Sequence, residues 1–209
     1  MPNKIILKSD LTQKYRFIDD KNIELNYTLV GVDEAGRGCL AGPVVASAVV
    51  LPRGVVIEGA DDSKKLSAKK RESLSEIIKE KATAFAFGYV DAGEIDETNI
   101  LGATMKAMTS AVEQVGHVAG NLFVLIDGNS PPDLIYPYEC IIGGDSVYHV
   151  ISVASILAKV ERDAHMVRIS GEYPEYGFAS HKGYGTAAHR AAIKKYGPCP
   201  IHRMTFNHG

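Results

Sequence analysis

Apolar runs of strand length recur at Thr28–Ala35, Pro43–Leu51, Thr83–Asp91 and Asn121–Ile126, with Glu139–Ile142 as a short last one. In Thr83–Asp91 a period of two puts Phe85, Phe87 and Tyr89 on one face. Between these runs the apolar residues fall at helical spacing. Ser67 is placed to cap a helix whose buried stripe is Leu74, Ile77 and Ile78. A second helix over Ile100–Val115 carries Leu101, Met105, Met108 and Val112. Gly143-Gly144-Asp145-Ser146 opens a long helix reaching Ser170, with Asp145 or Ser146 as its N-cap and Val147, Val150, Ile151, Ala154, Leu157 and Val160 facing inward. A last helix is predicted from Thr186 to Tyr196, in a tail rich in Gly, His, Lys and Arg. Strands alternating with helices predict an α/β layered domain over residues 28–209. Residues 1–27 show no period and read as an arm, and no repeat or linker divides the remainder.

Two of the apolar strands run straight into carboxylates. Val32 is followed by Asp33 and Glu34, and Ile126 by Asp127. A carboxylate at the end of a core strand costs several kcal/mol unless it is paired, hydrogen-bonded or bound to a cation. If the two strands are neighbours with their ends level, three acids converge where α/β sheets gather functional residues. Asp145, after a glycine pair, supplies a fourth. Hard divalent cations with oxygen ligands are the usual remedy, and two of them roughly 4 Å apart can hydrolyse a phosphodiester. The residues alone leave this open against a plainer reading in which all four acids serve as caps and turns, Asp145 being the easiest to explain so. No P-loop, G-x-G-x-x-G or H-E-x-x-H pattern and no recognisable nucleophile setting offers other chemistry.

Composition narrows the classes further. An apolar fraction of 45% supports a large core, and a net charge of −2 provides no global basic field, so any polyanion must be met by local patches. Cys39, Cys140 and Cys199 are scattered, odd in number and without metal-like spacing, which predicts free thiols and a cytoplasmic protein. The longest near-apolar run, Ala41–Leu51, is too short to cross a bilayer, and Ile5–Leu7 is too short for a secretory core.

GVDEAGRG with LAGPVVASAVV, then DSKKLS, LIDGN, GGDSVYHVISVASILAKVERD, YGFASHKGYGT and a closing HRMTF resemble ribonuclease HII, in order, from Val30 to Phe206. The resemblance implies an RNase H-like fold, a five-stranded mixed sheet flanked by helices, with a C-terminal helical extension. It implies endonucleolytic cleavage of the RNA strand of RNA–DNA hybrids and incision 5′ to single ribonucleotides in duplex DNA, with Mg²⁺ or Mn²⁺, leaving 3′-hydroxyl and 5′-phosphate ends. By motif position Asp33, Glu34, Asp127 and Asp145 match the family's metal-binding acids, and Gly36, Arg37 and Gly38 its loop for the ribose 2′-hydroxyl. Tyr184 matches the tyrosine that packs on the sugar beside the cut. Alanine at position 36 or 38 is expected to harm specificity more than stability.

Weaker candidates surround these. Lys64, Lys65 and Lys182 are substrate-phosphate candidates. Lys159, Arg162, Arg190, Lys194 and Lys195 are placed to extend a backbone track or simply to face solvent, and His181, His189 and His202, which could contact phosphate, read rather as surface or packing residues. Cys39 stands where the family usually has proline, which lowers the expected rigidity of the loop. The arm is too short for the additional N-terminal domain of ribonuclease HIII, whose loop also lacks this arginine. A monomer is the expectation. The alternatives are an RNase H-like DNA endonuclease without ribose selection and a non-catalytic nucleic-acid-binding module.

Overall fold

A computed structural model of the chain describes residues 4–6, 17–19, 27–60 and 66–208. Two short strands, β1 (Lys4–Ile6) and β2 (Phe17–Asp19), pair antiparallel with each other. The body is one mixed sheet of β3 (Thr28–Ala35), β4 (Val44–Val50), β5 (Ala84–Val90), β6 (Leu122–Asp127) and β7 (Tyr138–Ile141), in the order β5-β4-β3-β6-β7. β3 runs antiparallel to β4 and parallel to β6, and β6 runs parallel to β7. All seven residues of β4 are buried, as a strand covered on both faces requires.

Helix α1 (Ala68–Lys81) begins where Ser67 predicts it, with the Ser67 hydroxyl accepting the Lys70 N–H at 3.3 Å. Leu74 and Ile78 are buried, whereas Ile77 is exposed and drops out of the expected stripe. A short helix α2 (Ala92–Glu97), capped by Asp91, follows β5 and had no counterpart in the periodicity. α3 (Ile100–Ala119) extends a turn beyond the predicted end and packs Ala107, Met108, Ala111, Val112 and Val115 on one sheet face. Leu101, expected in that packing, is exposed. On the other face α4 (His149–Ile169) and α1 cover Val49 and Phe87 with Leu74, Ile78, Val153 and Leu157. α4 lies directly on β3 because Gly31 has no side chain: a Cβ there would sit 2.1 Å from the Val150 carbonyl oxygen. A C-terminal layer contains α5 (Phe178–His181) and α6 (Ala187–Tyr196), the latter capped by Thr186.

α4 starts at His149, after Tyr148, which forms no side-chain cap bond. The predicted start at Asp145 is therefore corrected. Residues Gly144–Ser146 form a separate 3₁₀ turn, entered through Gly143 in the left-handed region (φ 67°).

Candidate active site

The parallel register between β3 and β6 pairs Val32 with Ile126, so Asp33 and Asp127 leave the sheet in step at neighbouring strand ends. Asp33 and Asp145 are both almost fully buried, at 5% and 3% exposure. Gly144 brings the acid turn against β6: a Cβ on it would meet Ile151 Cδ1 at 2.6 Å and lie 3.5 Å from Asp127 Oδ1. Asp145 therefore does not cap α4, and the glycine before it lies against Asp127. Ser146 Oγ donates to Asp145 Oδ1 at 3.4 Å.

Electrostatics mark the cluster as short of positive charge. Burial holds the Asp33 carboxyl well above its ordinary pKa, and the neighbouring Glu34 and Asp127 carboxylates add to this. A Ser155 hydroxyl and the Glu34 N–H, 2.7 Å from Asp33 Oδ1, oppose it. Glu34 is also raised, by burial first, with the Arg37 guanidinium opposing at 3.2 Å and Asp127 reinforcing. Across the β3–β4 pair from Asp33, Ser47 Oγ is buried and has no hydrogen-bond partner among the described residues. Among the described residues no three acid, histidine or cysteine side chains are arranged so that they could hold a cation as they stand. An all-oxygen donor set of mutually repelling carboxylates nevertheless fits Mg²⁺ or Mn²⁺, since Mg²⁺ typically takes one or two carboxylates and fills its shell with water and phosphate oxygens.

Gly36, Arg37, Gly38 and Tyr184 come together beside this cluster. Cys39 forms a β-bridge with Tyr184, and Leu40 N donates to the Gly183 carbonyl at 2.8 Å. Cys39 is fully buried, and its N–H reaches the Gly36 carbonyl at 3.4 Å. A proline could not make that last bond, so the expected loss of rigidity at this position is offset. The Tyr184 ring is 40% exposed, with Lys159 Nζ 5.0 Å from its centroid.

The two glycines differ in kind. Gly36 has φ +97° and its α-carbon is pressed by Arg162, whose Nε would lie 1.9 Å from an added Cβ, whereas Gly38 has open space around it. The shared expectation for positions 36 and 38 is thus corrected for Gly36. Gly36→Ala is expected to destabilise by about 2–4 kcal/mol through strain and overpacking, and Gly38→Ala by less than about 0.5 kcal/mol. Urea unfolding of the two variants checks this, and equal losses would contradict it.

Arg162 is another correction. It is completely buried and donates to the carbonyls of Pro43 (2.9 Å), Lys182 (2.8 Å) and Ala41 (3.0 Å), so it neither tracks a nucleic-acid backbone nor faces solvent. The sequence offered no reason to single out Arg203, which does the same from the other side. It is fully buried, with bonds to Gly36, Arg37 and Gly42 carbonyls at 2.8–3.0 Å. Unpaired loop carbonyls need donors, and that is the one signal from which the arginines could have been found. Lys182 turns its ammonium back onto the Ala179 carbonyl. Arg190 bonds the Gly185 and Asn207 carbonyls, and Lys194 and Lys195 are exposed on α6. Lys64 and Lys65 lie outside the described residues.

His189 and His202 are buried, and their Nε2 atoms lie 3.0 Å apart. Burial pushes His189 down to about 4 and lowers His202. A histidine that protonates more easily unfolded favours the fold above its unfolded pKa near 6.5 and loses that contribution as pH falls towards the folded value. Stability is therefore expected to drop by about 2 kcal/mol between roughly pH 6.5 and 4, solvent screening allowed for. His189→Phe should flatten that slope in a pH series of thermal melts, and an unchanged slope would contradict the assignment.

A family model described as Ribonuclease HII matches residues 30–208. A ribonuclease HII of Ruminiclostridium cellulolyticum is 53% identical over 87% of this chain and 70% of its own length. That of Idiomarina loihiensis is 54% identical over 86% and 95%. Among solved structures, the ribonuclease H2 of Pyrococcus horikoshii superposes with a TM-score of 0.64 at 27% identity, covering 87% of this chain and 94% of the other. A Bst-RNase HIII structure in complex with Mn²⁺ gives a TM-score of 0.71 at 16% identity over 90% and 69%, a likeness of fold. No helix among the described residues is long and apolar enough to cross a membrane. With an RNase H-like sheet, buried acids at its strand ends and this similarity over nearly its whole length, the chain belongs to the ribonuclease HII family of metal-dependent endoribonucleases.

Proposed function

We propose that this chain cleaves the RNA strand of RNA–DNA hybrids and nicks duplex DNA 5′ to single embedded ribonucleotides, leaving 3′-hydroxyl and 5′-phosphate ends. The observation that carries this reading is the placement of an undercompensated carboxylate cluster (Asp33, Glu34 and Asp127) beside a rigidly clamped Gly36-Arg37-Gly38 loop. Asp33, Glu34, Asp127 and Asp145 would hold Mg²⁺ or Mn²⁺. Bound there, two such ions supply an activated water and stabilisation of the leaving 3′-oxygen.

The chain's own residues do the selecting. Gly38, open on its free side, lets backbone come close to a 2′-hydroxyl, the group that separates RNA from DNA. Arg37 is half exposed and can exchange its Glu34 partner for a substrate phosphate, to which a guanidinium is better matched. The exposed Tyr184 ring offers a flat apolar face to the adjacent sugar, with Lys159 close by for a phosphate. The site is built from one chain, so the activity is proposed for the monomer. The three free thiols fit a reducing cytoplasm.

The test is an RNA strand annealed to DNA and incubated with enzyme. Cutting is expected with Mg²⁺ or Mn²⁺ and is expected to stop when EDTA is added. Cutting that continues in excess EDTA would overturn the assignment of the acids.

A further inference from the structure

Four imidazoles lie beneath the Tyr184 turn, and their hydrogen bonds determine where the protons sit. A carbonyl can only accept, so His189 Nδ1, 3.0 Å from the Tyr184 carbonyl oxygen, carries the hydrogen. His202 Nδ1 lies 2.9 Å from the Cys199 N–H, which can only donate, and 3.3 Å from the Cys199 carbonyl, which can only accept and already takes the His202 backbone N–H at 2.9 Å; the shorter contact governs, and that nitrogen is bare. The Cys199 thiol, 3.1 Å from the same nitrogen, is compatible with an acceptor there. With both rings neutral, the remaining proton of His202 is on Nε2 and faces the bare Nε2 of His189, 3.0 Å away. One directed chain results, running from the Cys199 N–H through His202 and His189 to the Tyr184 carbonyl. A second proton on either ring would set two N–H groups against each other or against the Cys199 amide.

The surroundings favour neutrality. His181 stacks on His189 at 4.4 Å between ring centroids, itself held by the Gly183 N–H and the Tyr176 carbonyl. His208 and Tyr176 face His202 at 5.8 and 5.0 Å, and the neighbouring Arg203 guanidinium points away into the loop carbonyls. The groups set against the two rings are other rings, the Cys199 thiol and backbone amides. The depressed pKa values of both rings agree with this.

Both ends of the chain reach the same loop. Tyr184 bridges to Cys39 and His202 bridges to Ala41, directly after Gly36-Arg37-Gly38. We propose that His189 and His202 are positioning residues that lock the Tyr184 turn onto this loop through one fixed pair of tautomers, and so set how well ribose is distinguished from deoxyribose. The role in discrimination rests on the reading of Tyr184 given above. The tautomer lock does not.

The lock is tested on the wild-type protein by long-range ¹⁵N–¹H NMR of the histidine rings. The expected spectrum at neutral pH has His189 protonated on Nδ1 and His202 on Nε2, with neither titrating between pH 5 and 8. Both rings protonated on Nε2, or either titrating near 6.5, would overturn it. Discrimination is tested with two variants that remove the same buried ring. His189→Asn retains a donor where Nδ1 was, whereas His189→Gln retains only an acceptor towards His202. His189→Gln is expected to lower the kcat/KM ratio of ribonucleotide to all-DNA duplex by about 3–10-fold, the worth of one hydrogen bond, and His189→Asn to restore most of it. Equal ratios in the two variants would overturn the positioning role. Should the wild type cut no ribonucleotide substrate, the functional reading fails while the NMR result still decides the lock.

Discussion

Asp33→Asn is expected to lower cleavage on the order of 10³-fold or more while raising the melting temperature of the metal-free protein. The two effects have one cause. Asp33 is buried at the end of a central strand, opposed by the Glu34 and Asp127 carboxylates and supported by a serine hydroxyl and the Glu34 N–H. At neutral pH its charge is a burden to the fold, and an amide of the same shape removes it. The same charge is what a divalent cation would need. At this chain length each 1 kcal/mol gained is worth about 2–4 °C. Melts with and without EDTA, paired with turnover of a hybrid substrate, check both halves. A variant that loses activity together with stability would mean that Asp33 is structural.

The second large effect is expected from a residue outside the acid cluster. Arg203→Met should destabilise the protein by about 3–5 kcal/mol. Methionine keeps the apolar stem but leaves the carbonyls of Gly36, Arg37 and Gly42 without their guanidinium donors. The guanidinium is held so deep that burial pushes its pKa down to about 10. Its replacement should loosen the loop while sparing the acid cluster, so that residual activity at low temperature cuts hybrids with weakened preference for the ribose. Urea unfolding reads the first effect, and the ratio of cleavage on ribonucleotide and all-DNA duplexes reads the second. A loss of less than about 1 kcal/mol would show that water satisfies those carbonyls equally well.

The same residues show how far sequence patterning reaches. β3 and β6 were legible because an apolar strand that stops on a carboxylate is anomalous in itself, and the parallel register puts both stops side by side. The Ser67 cap and the start of the last helix at Thr186 were legible because the signal is local. Asp145 misled for that reason: Gly-Gly-Asp-Ser has the local chemistry of a helix start, but the contact of Gly144 with Ile151 and Asp127 holds it in a separate turn. Arg162 and Arg203 were illegible because all their partners but Lys182 lie more than 100 residues away, in a loop whose unpaired carbonyls show only once the fold is assembled. The three histidines read correctly as packing residues, yet their directed hydrogen bonds emerge only once α5, α6 and the last segment meet.

The most direct measurement is cleavage of a DNA duplex carrying one ribonucleotide, in Mg²⁺ and in Mn²⁺, with the product ends mapped. The expected result is a single cut 5′ to the ribonucleotide with 3′-hydroxyl and 5′-phosphate ends, an all-DNA duplex cut only at far higher enzyme concentration, and silence from Asp33→Asn. Equal cutting of the all-DNA duplex would indicate a nuclease without ribose selection, and no cutting by folded, metal-supplied protein would indicate a binding module. Either result would contradict the account.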